Sequence, residues 1–148
     1  TLLNMKYHEI SHTLPNLELD ADRLLFPEPL YIQSYDMGVI LGNALDNALE
    51  ACRRMNEEER ESRLFIRLSS FRKGNMFFLE VENSFDGKII RKAQAEFPAT
   101  SKTDREAHGI GLMNIRNAAE KYHGAVDWSA KEKVFTLSVM MQNRAPGA

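Results

Sequence analysis

Apolar and polar positions recur along this chain with two periods, and each change of period marks a predicted element. Between residues 34 and 55, Met37, Ile40, Leu41, Ala44, Leu45, Ala48, Leu49 and Cys52 fall on one stripe at about 100° per residue. That predicts a long amphipathic helix able to cover a sheet. Tyr31 or Ser34 begins it, Ser34 and Asp36 are both suitable caps, and it should run to about Met55. Upstream, residues 1–13 read as a short helix with Leu2, Leu3, Met5 and Ile10 as apolar positions, ended by Pro15. Residues 17–21 alternate as a strand, and residues 24–30, with Pro27 and Pro29, cannot be central in a sheet. The charged run at 56–61 reads as a solvated exit from the long helix.

Downstream the period falls to two. Leu64, Ile66 and Leu68 alternate within 63–71, Phe77, Leu79 and Val81 within 76–83, and Lys73-Gly74-Asn75 between them is a hairpin turn. Residues 85–108 keep no period and hold Gly87, Pro98 and a polar run from Thr100 to Glu106; a loop this long in a compact domain is functional or disordered. It ends in His108-Gly109-Ile110-Gly111, with a helix expected to follow at once through Leu112, Ile115, Ala118, Ala119 and Tyr122, and Gly124 as its C-terminal stop. Residues 125–129 and 134–141 are two further strands, with Phe135, Leu137, Val139 and Met141 on one face, and 144–148 form a frayed tail. Strands grouped in hairpins with amphipathic helices between them predict an α+β two-layer sandwich, one mixed sheet covered on one face by helices.

Composition narrows the function classes. The 148 residues suffice for one domain with a real core, and 43% apolar and 27% charged residues are ordinary globular values. A net charge of −2 gives no argument for nucleic acid or an anionic membrane as main partner. The single cysteine, Cys52, excludes an internal disulfide and lies on the apolar stripe. No apolar run approaches the ~18 residues of a membrane span. The start at Thr1 suggests a piece of a longer protein.

The chemistry-bearing positions are few. Asn43 and Asn47 sit one turn apart on the flank of the long helix, where Asn costs propensity; they are either a solvated rim or amide oxygens at the edge of a pocket, where a hard cation such as Mg2+ can be coordinated. Gly109-x-Gly111 at an expected helix start is either a tight turn or a phosphate cradle, in which free N–H groups and the helix dipole face an anion. Lys102 and His108 on the approach are possible donors to phosphate oxygens. No Walker loop, dinucleotide fingerprint, zinc spacing or Ser-His-Asp arrangement can be assembled. His8-Glu9 has the form of a phosphorylatable histidine beside an acid, and equally that of a surface pair near a terminus.

Residues 41–51, Leu-Gly-Asn-Ala-Leu-Asp-Asn-Ala-Leu-Glu-Ala, resemble the N box of the GHKL (Bergerat-fold) ATP-binding domains. Thr100-Ser101-Lys102 and then His108 to Ile115 resemble their lid and second glycine box. The likeness covers roughly residues 30–142 and is greatest to the catalytic domain of sensor histidine kinases of the peptide quorum-sensing receptor type, which pair with LytTR-type regulators; Glu50 and Asn83 fit that branch. The resemblance implies ATP and Mg2+ as ligands. Asn47 would ligate Mg2+, and Asn43 would line the same wall. Asn83 would read adenine where most relatives have Asp. Gly109, Ile110, Gly111 and Leu112 would hold the phosphates, and Lys102 and His108 would approach the terminal ones. Asn43, Asn47 and Lys102 are then the catalytic set.

Hydrolysing relatives carry a Glu where this chain has Asn43, and an amide cannot serve as a general base. The resemblance therefore implies transfer of the γ-phosphoryl group to a protein histidine rather than to water. It implies a lead-in at 1–30, a catalytic domain at 31–142 with a lid at 85–108, and a tail at 143–148. It implies a cytoplasmic location, within a membrane-bound homodimeric parent, for a fragment monomeric by itself. The partners implied are the parent's dimerisation and phospho-acceptor helices and, indirectly, a response regulator. The rival expectations are an anti-sigma-type serine kinase and a degenerate interaction domain that binds no nucleotide.

Overall fold

The computed structural model describes residues 2–58, 63–88 and 105–147. Three helices and five strands follow one another as α1 (Leu2–Thr13), β1 (Glu18–Arg23), α2 (Ser34–Glu58), β2 (Phe65–Lys73), β3 (Met76–Ser84), α3 (Arg105–Glu120), β4 (Ala125–Lys131) and β5 (Val134–Gln142). The sheet order is β1-β2-β3-β5-β4. β1 lies parallel to β2, and the other three pairings are antiparallel. This is the mixed, open α+β sandwich that the periodicity predicts.

Alternation decides which face is covered. Ile66 and Leu68 of β2, Phe77, Leu79 and Val81 of β3, and Leu137, Val139 and Met141 of β5 are all buried. They form one core with the α2 stripe (Ile40, Leu41, Ala44, Leu45, Ala48, Leu49, Cys52) and with Leu112, Ile115, Ala118 and Ala119 of α3. The intervening residues stay half-exposed, as a one-sided sheet requires. Phe71 and Phe78, paired across β2 and β3, stack at 4.5 Å on that other face. Gly74 turns the β2–β3 hairpin with a φ of 61°. α1 rests on α2 through Ile10, Leu14 and a Lys6–Asp46 ion pair.

Two helix boundaries and one cap differ from the sequence expectation. The long helix runs past Met55 into the charged run, to Glu58, with residues 59–62 outside the described ones. Asp36 does not cap it; its carboxylate is turned to the far end of α3. α3 begins at Arg105, not after Gly111, so both glycines of Gly109-x-Gly111 lie inside the helix.

The end of α3 also departs from expectation. His123, with a φ of 53°, holds the left-handed position, and the His123 N–H to Glu120 carbonyl (3.1 Å) and Gly124 N–H to Ala119 carbonyl (3.0 Å) bonds close a Schellman turn around it. Gly124 is needed for another reason: a Cβ there would lie 1.8 Å from the Met140 carbonyl oxygen of β5.

Candidate functional site

α2 and α3 pack side by side on the sheet, and their contact brings Asn43 and Asn47 beside Gly111, far away in sequence. Asn43 and Asn47 share a flank of α2 because they are four residues apart. Asn43 Nδ2 donates to the Val39 carbonyl one turn back (2.7 Å), which fixes that amide and leaves Oδ1 as its outer atom. A Cβ built on Gly111 of α3 would come 3.3 Å from Asn43 Oδ1 and 3.5 Å from Asn47 Oδ1. The glycine lets the α3 backbone pass directly over both amides, and any side chain would occupy that space. Asn47 Nδ2 is buried with no hydrogen-bond partner among the described residues. An orphaned buried amide is costly, and it marks a position where a ligand can complete the bonding. A groove of about 270 Å³ between the helices continues from Asn43 along Asn114, Asn117 and Lys121.

The other side of the α2 wall lies at the end of β3. Asn83 pairs across the sheet with Ile66 and Phe135, and it is buried. Its Nδ2 donates to the Ser84 carbonyl at 3.0 Å. Cys52 of α2 touches the same residue, its Sγ 3.7 Å from Ser84 O and 3.6 Å from Ser84 Oγ. Cys52 follows Asn47 by five residues, about 7.5 Å along the helix axis, so one helix links the two amide sites. Burial pushes the Cys52 thiol up to about 11, and it stays a neutral core group. Beyond Asn83, Phe85 meets Phe135 edge-on at 6.1 Å and Trp128 stacks on Phe135 at 5.7 Å. Asp86 caps the backbone N–H of Lys88 with Oδ1 (2.8 Å) while its Oδ2 is buried with no hydrogen-bond partner among the described residues.

The remaining sequence candidates separate. Leu112 is on α3 with its side chain in the core, so only its backbone is available to a ligand. His108, Gly109 and Ile110 belong to the first turns of α3 as backbone, and the structure describes nothing of their side chains. Lys102 and most of the expected 85–108 lid lie outside the described residues. His8 is exposed on α1, its ring edge-on to Tyr7 at 6.3 Å. The Cys52–Ser84–Phe65 contacts and the Asp36–Tyr122 contact were invisible to local sequence patterns.

The sequence matches the family described as the GHKL domain over residues 32–142. The chain belongs to the GHKL family. Solved structures with this fold include the histidine kinase AdeS of Acinetobacter baumannii, 14% identical, TM-score 0.66, covering 97% of this chain and 64% of its own. The catalytic domain of the histidine kinase ThkA in a nucleotide-free form is 17% identical with a TM-score of 0.64, covering 96% and 91%. Full-length ShkA in complex with AMPPNP is 18% identical with a TM-score of 0.68, covering 97% of this chain and 30% of its own. Identities this low establish the shared fold, and this GHKL chain spans less than two thirds of AdeS and under one third of ShkA. No curated protein sequence matches it. No helix among the described residues of this GHKL domain is long and apolar enough to cross a membrane.

The donor set bears on which metal a GHKL domain of this kind can hold. Among the described residues no group of three His, Cys, Asp or Glu side chains could hold a metal ion. Mg2+ does not need one, since it is commonly held by one or two protein oxygens plus substrate phosphates. The Asn47 amide beside the Gly111 cradle fits a metal that arrives with its nucleotide.

Proposed function

We propose that this GHKL chain is the ATP-binding catalytic domain of a two-component sensor histidine kinase of the peptide quorum-sensing receptor type. The observation that carries the reading is the Asn47 amide, its Nδ2 buried without a hydrogen-bond partner among the described residues, close with Asn43 to the Cβ-free Gly111 backbone. Asn47 would supply the protein oxygen to Mg2+, with Asn43 on the same wall, and the Gly111 backbone would run beside the phosphates. Mg2+ when bound supplies charge neutralisation on the phosphates. Asn83 would receive the adenine, and Lys102 and His108 would approach the terminal phosphates.

Phosphoryl transfer asks a protein mainly for positioning and electrostatic stabilisation, and an amide wall provides both without activating water. Asn43 has no proton-accepting lone pair of carboxylate strength, and its Nδ2 is already committed to Val39. Slow hydrolysis is expected, with the γ-phosphoryl passed to a histidine nitrogen of dimerisation helices in the cytoplasmic part of a membrane-bound parent. ShkA, whose structure holds AMPPNP, supports nucleotide binding by this fold.

Calorimetric titration with a non-hydrolysable ATP analogue, with and without Mg2+, tests the first half. Binding that depends on Mg2+ is expected, and no binding by the folded chain would make it a degenerate interaction domain. Adding the parent's dimerisation helices with ATP tests the second half. Phosphate on histidine is expected; phosphate on a serine of a partner would favour the anti-sigma-type reading.

A further inference from the structure

An Asn in place of Asp at the base-reading position creates a chemical ambiguity. A carboxylate only accepts hydrogen bonds, whereas a carboxamide presents an acceptor on one side and a donor on the other. Free to flip, it would accept from the amino group of a 6-aminopurine or donate to the carbonyl of a 6-oxopurine. The structure removes that freedom. Asn83 is 4% exposed, and the atom 3.0 Å from the Ser84 carbonyl must be Nδ2, because a carbonyl oxygen can only accept. A flip would set oxygen against oxygen in a buried position.

The carbonyl that imposes this choice is itself held. Ser84 is 2% exposed, and its Oγ accepts the Phe65 backbone N–H at 3.0 Å, tying the end of β3 to the start of β2. Cys52, fully buried on α2, lies against both Ser84 oxygens and also 3.6 Å from the Phe65 carbonyl. Side chain, strand ends and helix thus fix one peptide plane, and that plane fixes the amide.

We propose that Ser84 is a positioning residue that holds the Asn83 carboxamide as an acceptor and thereby selects 6-aminopurine over 6-oxopurine nucleotides. The inference rests on the nucleotide-binding reading above. Presenting an acceptor to a guanine carbonyl leaves both oxygens unpaired, while an adenine amino group completes the bond.

The test is competition binding of Mg2+ with non-hydrolysable ATP and GTP analogues. The unaltered chain should prefer the ATP analogue by at least about tenfold, a single unpaired buried group's effect. Ser84→Ala removes the hydroxyl anchor and should shrink that preference several-fold. A purely structural role for Ser84 would weaken both analogues alike and leave their ratio unchanged. Where Ser84→Ala fails to fold, the Asn83 side-chain amide of the unaltered, nucleotide-free chain is read by NMR. One Nδ2 proton should be shifted and slow to exchange, and two freely exchanging protons would overturn the proposal. Equal affinity for the two analogues, or a preference indifferent to Ser84→Ala, overturns this inference alone. Binding of neither overturns it together with the proposed function.

Discussion

The two ends of α3 face the same neighbour, α2, and are built on opposite principles. At the C-terminal end, bonds are closed. The Tyr122 hydroxyl, just past the helix, donates to Asp36 of α2 and accepts the Gln33 N–H at 2.9 Å. Lys121 reaches the other Asp36 oxygen at 3.0 Å, and the chain then turns through His123 so tightly onto β5 that only glycine fits at 124. At the N-terminal half, Gly111 holds open a space over two amides, and one of them has a nitrogen with no partner among the described residues. One glycine is there because backbone comes against backbone; the other because side chains must be left room. Satisfied hydrogen bonds are concentrated at the first end, and unmet bonding capacity at the second.

The sharpest way to break this contrast is at Gly124. Gly124→Ala pushes a methyl group to 1.8 Å from a backbone oxygen, which a flexible side chain could yield to but a strand cannot. A loss of about 3 kcal/mol or more is expected in denaturant unfolding, comparable to severe overpacking. Asn47→Ala acts on the other end. Removing an unsatisfied buried amide should leave stability within about 0.5 kcal/mol of the parent while ATP-analogue affinity falls at least about a hundredfold, some 2.7 kcal/mol. An Asn47→Ala chain that binds the analogue normally would remove this residue from the site.

The Asp36 cluster sits between these extremes. The Tyr122 hydroxyl bond holds the Asp36 carboxyl below its ordinary 3.8 against the opposing pull of burial, with Lys121 adding to the depression. A depressed acid contributes stability above its unfolded-state value and loses it as pH falls through the lower folded-state one. Tyr122→Phe should therefore cost about 1–2 kcal/mol at neutral pH. The stability gap between the parent and Asp36→Asn should be full at pH 7 and close below pH 4. A gap that is constant down to pH 2 would mean that the carboxylate charge contributes nothing to the tether.

What the sequence made legible follows from which forces are local. The α2 stripe and the alternation in β2, β3 and β5 specify burial residue by residue, so element types and the mixed sheet could be read directly. The start of α3 could not. Two glycines in three residues argue against helix by about 1 kcal/mol each, and packing of Leu112 and Ile115 into the core outweighs them. The local stop rule found Gly124 for the wrong reason, since the clash that requires it comes from Met140, sixteen residues on. At the site, Asn43, Asn47 and the glycines stood out because each breaks a local preference. Ser84 and Cys52 did not, because their role lies in a contact joining residues 52, 65 and 84, and each is unremarkable where it stands in sequence.

Gly111 is where the contrast becomes quantitative with the smallest expected effect. It lies mid-helix with no positive φ, so Gly111→Ala should gain helix propensity, about 0.5–1 kcal/mol in the most favourable case. The new methyl would meet the Asn43 and Asn47 side-chain oxygens at 3.3 and 3.5 Å, so those amide ends must give by a few tenths of an ångström. Asn47 can do so at little cost to the fold because its Nδ2 has no hydrogen bond to lose among the described residues, and Asn43 strains only its bond to Val39, but both then leave the arrangement that a metal–nucleotide complex would need. Thermal unfolding and ATP-analogue titration of one variant should accordingly move in opposite directions: melting temperature unchanged or slightly higher, affinity several-fold lower. If both fall together, the glycine serves packing as Gly124 does, and the two ends of α3 are alike after all. If affinity holds while stability rises, the space above the amides is not where the phosphates lie.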